Sequence, residues 1–294
     1  MTRALRIVGY VAFFMASFVI GLYLSFPWNA LKDRLLTAAS VQTGWSLQAE
    51  TMRPSWLTGV VLTGVEARPP GGENALEINE LHMRASVLSM LTGGVGGQAA
   101  FPLGGGEVDA TFSQSSSTMV VDLDLHSVEL GLVPVLAELT GLPISGELTV
   151  DAELDVDREN PSKSSGTVRL AGDGLEIAEG GRIGVYPLPI SVNVGSFDWS
   201  LQVSNGQLKL TQQEIRGGDV EVNLDGTLNL AAQLERSTTN MTLAFRPTEA
   251  LLEREPLIGA LLNNIASAKG RDGFYTYAMT GSVKHPRLFP KRGR

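Results

Sequence analysis

The chain contains no cysteine, which removes disulfide frameworks, thiolate zinc sites, iron–sulfur clusters and cysteine nucleophiles together. Its compartment must therefore be read from targeting signals. Aromatic residues make up 6% of the 294 positions, charged residues 18%, and there are only three histidines. Apart from the C-terminal PKRGR the basic residues are scattered, and the formal net charge is −8. No Lys/Arg stripe exists to neutralise a phosphate backbone, so nucleic acid is excluded as a partner. What is present is 43% hydrophobic residues and 33 glycines. That composition supports a sizeable core and suits many short strands joined by tight turns.

Ile7 to Phe26 is twenty residues without a charge. As a helix it reaches about 30 Å, the thickness of a bilayer's hydrocarbon. Its apolar side chains are those of Ile7, Val8, Val11, Phe13, Phe14, Phe18, Val19, Ile20, Leu22, Leu24 and Phe26. Arg3 and Arg6 precede it and Tyr23 and Trp28 sit near its far end. The positive-inside rule then leaves the N-terminus in the cytoplasm and sends the rest across the membrane. The apolar run exceeds a signal-peptide h-region, and SFPWNA has no small-x-small cleavage site. The expectation is a retained anchor over 1–28 and a β-rich domain outside the cytoplasm over 29–294, which the resemblance given below makes periplasmic, on a bacterial inner membrane.

Asn29 to Thr43 places Leu31, Leu35, Ala38 and Ala39 at helical spacing, with Gly44 to end the helix. Two extended pieces follow, WSLQAE and SWLTGVVLTGVEARPP. Alternation then predicts strands at 75–83, 106–112, 118–125, 146–157, 166–171, 174–178, 190–194, 197–203, 207–212, 220–224, 226–231, 240–245 and 275–283. Several open on glycine, as in SGELTV, SGTVRL, NGQLKL, DGTLNL and TGSVKH, where glycine reads as a turn marker. The remaining predicted helices are short: ASVLSMLTG, LVPVLAELTG and Thr248 to Gly270, the last divided at Pro256. The fold class is mainly β, with no βαβ units. The strand spacing is that of a sandwich, barrel or curled meander, and the expectation is a curved, mostly antiparallel sheet, a β-groove or open barrel-like form, with a few short helices and one transmembrane helix.

Catalytic and metal-binding patterns are absent. His82, His126 and His285 lie in separate strands or loops without HxxxH or HExxH spacing. Asp151, Glu153, Asp155 and Asp157 alternate along one strand, where a solvated polar face is the ordinary explanation. GGVGGQA contains the letters of a dinucleotide fingerprint but lacks the preceding strand, and reads as a flexible loop. Neither GxSxG nor a P-loop occurs. The expectation is no enzyme and no cofactor or metal.

The helices are too few to cover a dozen half-apolar strands, so the sheet must seal on itself or leave a greasy trough. The face in question carries Leu148, Val150, Leu154, Val156, Val168, Leu170, Val220, Val222, Leu224, Leu228 and Leu230. Glu147, Asp151, Glu153 and Asp155 should face water. The order of features, with PSWLTGVVLTGVEARPP, SVLSMLTGG, GGEVDATF, LGLVPVLAELTGLPISGELTV, IRGGDVEVNLDGTLNLA and FYTYAMTGSVKHPRLFP after the anchor, resembles GspN, the N component of bacterial type II secretion systems. That family is similar to AsmA-like lipid transporters, whose sheets curl into apolar grooves. The resemblance implies an accessory, non-catalytic subunit with other secretion-system subunits and the inner membrane as partners. The alternative it leaves open is periplasmic lipid binding or transfer.

Overall fold

In a computed structural model the described residues are 10, 13, 14, 17, 21, 25–55, 58–87, 89, 93–183, 186–188, 190–231, 236–283 and 285–291. Most of the expected anchor, including Ile7, Val8, Val11, Phe18, Val19, Ile20, Leu22 and Leu24, lies outside them, as do residues 88 and 90–92 of ASVLSMLTG. Among the described residues no helix is long and apolar enough to cross a membrane.

Among the described residues one antiparallel sheet of 14 strands makes up the body, and it does not close on itself. In order across the sheet the strands are β1 (Ser46–Ser55), β2 (Gly59–Arg68), β3 (Leu76–Ala85), β4 (Val95–Leu103), β5 (Gly106–Gln114), β6 (Thr118–Glu129), β7 (Ile144–Asp157), β8 (Ser165–Ile177), β11 (Val192–Ser204), β12 (Gln207–Arg216), β13 (Val220–Asn229), β14 (Thr238–Pro247), β15 (Tyr275–Ser282) and β16 (His285–Pro290). The pair β9 (Arg182–Ile183) and β10 (Tyr186–Pro187) forms its own small hairpin. Every strand pairs with its neighbour along the chain once that hairpin is set aside, so the fold is a simple meander.

The structure corrects several strand assignments. Segments 166–171 and 174–178 are one strand, β8; 190–194 and 197–203 merge into β11, and 220–224 and 226–231 into β13. Register irregularities in β8 and β11 and a positive φ at Gly174, Gly195 and Gly226 keep the strands continuous where alternation breaks. GGVGGQA is not a loop; most of it belongs to β4. The strand-opening glycines are mostly not turn residues either. Gly146 and Gly226 lie inside β7 and β13 at φ 107° and 131°, where an added Cβ would come within 2.6 Å of Gly174 O and 2.3 Å of Asn240 O. Close backbone approach, rather than chain reversal, requires glycine there.

A transverse kink explains another slip of pattern. Glu50, Gly64 and Asn79 are missing from otherwise unbroken ladders between β1, β2 and β3. Gly64 has φ 58°. The apolar side changes parity at that line, from Leu47 and Ala49 to Met52 on β1 and from Leu62 to Val65 on β2. Met52, Leu62, Val65 and Ile78 thereby meet in one buried cluster.

Both edges of the sheet are blunted. Helix α1 (Trp28–Thr43) runs antiparallel beside β1 and ends at Gly44 in the left-handed conformation. Ser40 Oγ accepts from Leu47 N–H, and Lys32 Nζ donates to the carbonyls of Ala49 and Glu50, each at 2.9 Å. On the far edge, Lys291 N–H donates to Thr276 O across β15–β16. Pro286, Leu288 and Pro290 therefore turn their backbone nitrogens outward, and two of the three have no donor to offer an added strand.

Strand directions place three further helices of the described residues at one end of the sheet. Helix α2 (Pro134–Thr140) follows β6, and α3 (Glu249–Arg254) and α4 (Pro256–Asn263) follow β14. The break at Pro256 falls where the sequence places it. Val133 and Val135 are buried against Val108 and Val128, with Leu123, Leu125 and Trp45 around them. Leu251 of α3 is also buried, whereas Leu257 and Leu261 of α4 are exposed. Glu138 of α2 accepts from the backbone N–H groups of Glu73 and Asn74, which hold its carboxyl below the usual range.

Candidate functional site: an uncovered apolar sheet face

Register fixes which side chains share a face, because residues paired directly across strands point to the same side. One row reads Pro54, Val60, Met83, Ala99, Ala110, Leu123, Ala152, Val168, Leu201 and Leu210, ten strands without a polar side chain. On the C-terminal side Leu224 pairs with Leu243 and then Tyr277, and Val222 with Phe245 and then Tyr275. Leu208↔Leu228 joins the two halves.

The expected face residues fall on this one side. Val150 pairs with Leu170, Ala152 with Val168, Leu154 with Val121 and Val156 with Met119, while Leu148 sits opposite Val128. Val220, Val222, Leu224 and Leu228 share it through β14. Leu230 lies just beyond β13 and donates its N–H to Gly206 O. Glu147, Asp151, Glu153 and Asp155 occupy the opposite side, as the alternation requires.

Burial separates this face from an ordinary core. Of those eleven residues only Val156 is buried, at 2% exposure; the others are half-buried. Side chains are shielded by neighbours in the sheet but not sealed by a second layer. Among the described residues the helices cover it only locally, beside α1 and α2 and where Leu251 of α3 is buried.

The opposite side is polar and acidic around β5 to β7. Asp109, Asp124 and Asp151 stand directly opposite one another, and Asp122 faces Glu153. Like charges in cross-strand register are unfavourable. Arg169 ends the row opposite Asp151 and forms its ion pair with Asp198 at 2.6 Å. The Arg169 hydrogen bond holds the Asp198 carboxyl below its ordinary value.

Sequence spacing did not show that the histidines come near carboxylates on this side. His82, His126, Glu80 and Glu107 border a shallow depression of ≈ 570 Å³. His126 also lies near Asp124 and Asp151, with one donor atom from each within 4.8 Å of the others. His126 stands in solvent, and exposed acidic groups commonly gather in this way without holding an ion. The side chain of His285 lies outside the described residues. Pairing across β6 and β7 creates this cluster, and no local motif could have revealed it.

One buried charge is structural. Asp219, in the turn between β12 and β13, accepts from Asn193 N–H at 2.9 Å and from the Arg254 guanidinium at 2.6 Å. Burial raises its pKa, but these hydrogen bonds outweigh it and the carboxyl sits below its ordinary value. The residue ties β11, the β12–β13 turn and α3 together.

No protein-family model matches the chain, and no curated protein or solved structure is significantly similar to it.

Proposed function

We propose that this chain is a non-catalytic binding protein: an accessory subunit of a type II secretion system, anchored in the bacterial inner membrane with its β-rich body in the periplasm. The uncovered apolar face carries the binding part of this reading, because a monomer rarely leaves so large a greasy surface without a use for it. The ordered resemblance to GspN supports the secretion role, and the charge-free run 7–26 supports the anchor. Partners are then the inner membrane and other subunits of the machine, with no cofactor. Deleting the gene and measuring the extracellular level of secreted enzymes tests the role: a loss of secretion restored by the intact gene is expected, and unchanged secretion overturns it.

The second reading is lipid handling, with the sheet curved so that its apolar side forms a groove for acyl chains. The half-buried rows favour it, since side chains shielded laterally but open above match the needs of a hydrocarbon ligand. The anchor supplies proximity to a bilayer. The two readings differ in what leaves the membrane, and both place the binding surface on the same side of the sheet.

A further inference from the structure

Pairing of β12 with β13 stops at Lys209↔Thr227, although β12 continues to Arg216 and β13 begins at Val220. The strands are joined by only residues 217–219, so they diverge in the middle of a hairpin. Gln213 fills the gap: its Nε2 donates to Val222 O at 2.6 Å and its Oε1 accepts from Leu224 N–H at 2.9 Å. A side chain thus occupies the place of a backbone ladder.

The register across the gap is compatible with closure. The bulge at Thr211 shifts β12 by one residue, so Gln213 pairs with Trp199 and Ile215 with Phe197 on the apolar side. Leu224 and Val222 lie on that side too. Gln213 therefore falls opposite Leu224, and Ile215 opposite Val222, with faces matched. Closing the ladder would hand Leu224 N–H from the Gln213 side chain to the Gln213 backbone carbonyl. The freed amide would then turn to the apolar side, next to its direct neighbour Trp199. The Trp199 indole Nε1–H is buried and has no hydrogen-bond partner, an arrangement that costs free energy.

We infer that the β12–β13 seam is a two-state latch: Gln213 either props the strands apart or, with the ladder zipped, accepts a hydrogen bond from Trp199. Each state satisfies groups that the other leaves short, which is what makes two discrete arrangements possible. The propped state widens the apolar face between β11 and β13; the zipped state narrows it. This inference stands on the strand geometry and does not depend on what the face binds.

The chain's lack of cysteine gives a clean test. Glu214 and Asn223 share the polar side and become directly opposed when the seam zips, about 4.5 Å apart at Cα. In the propped state the intervening side chain keeps them too far apart for an S–S bond. Glu214→Cys/Asn223→Cys in the full chain is oxidised and the intramolecular disulfide followed by mass. Adding Gln213→Ala should speed closure about fivefold or more, and adding Trp199→Phe instead should slow it by a similar factor, as one hydrogen bond allows. Amide exchange on the cysteine-free chain is the second readout: Gln213→Ala should slow exchange at Ile215. Equal cross-linking rates with and without Gln213, or an Ile215 amide that Gln213→Ala leaves unchanged, would overturn the latch.

Discussion

Val156→Asp and Leu154→Asp, two residues apart on β7, should have very different effects. Val156 is 2% exposed. Removing its burial sacrifices about 1.5–3 kcal/mol, and an unpaired carboxylate in its place adds several kcal/mol more. The total is comparable with the 5–15 kcal/mol typical of a whole domain, so Val156→Asp should fail to fold. Leu154 is half-buried and faces Gly166 on β8, which has no side chain to close over it. An aspartate there can reach water across the open face, and the expected loss is about 1–2 kcal/mol, chiefly partial burial. Urea unfolding followed by far-ultraviolet circular dichroism gives both values. If Leu154→Asp loses as much as Val156→Asp, the apolar side is a sealed core and the reasoning fails.

Asp219→Ala should cost about 1–3 kcal/mol, because it orphans the Asn193 amide and unpairs Arg254, whose partial exposure softens the loss; urea midpoints measure it. The same groups set an acid limit. Asp219 and Asp198 have folded pKa values below the ordinary 3.8, so their contribution is present above the unfolded pKa and is lost as pH falls through the folded values. Thermal stability should be flat from neutral pH down to about 5 and drop below about 4, and a decline already under way at pH 6 would contradict this. Replacing Pro286 and Pro290 together by Val restores two outward donors on β16, and light scattering should then report concentration-dependent association that the parent lacks.

Much of the sheet was legible because alternation is a direct consequence of strand geometry. The facing of Leu148, Val150, Leu154 and Val156 against Glu147, Asp151, Glu153 and Asp155 followed from period two alone. The split of the last helical segment followed from the missing donor of Pro256. Strand continuity was harder to read: Gly174, Gly195 and Gly226 look like breaks in sequence, yet positive φ and bulges carry the ladder past them. β4 was hidden for the opposite reason, since GGVGGQA has too few side chains to show alternation. The candidate surface could be named residue by residue, but whether a second layer covered it depends on where the helices dock. The clusters around His126 and Asp219, and the Gln213 seam, depend on register between one strand and the next, which alternation along a single strand does not encode.

The central claim is that the apolar side binds and the polar side does not. A photo-cross-linking amino acid placed at Val222, and in a second protein at its neighbour Asn223 on the opposite side, tests this in living cells with the full chain. Mass spectrometry of the purified adducts should find an acyl lipid or a secretion-system subunit attached at position 222 and nothing reproducible at 223. No adduct at position 222, or the same adducts at both, would contradict the account.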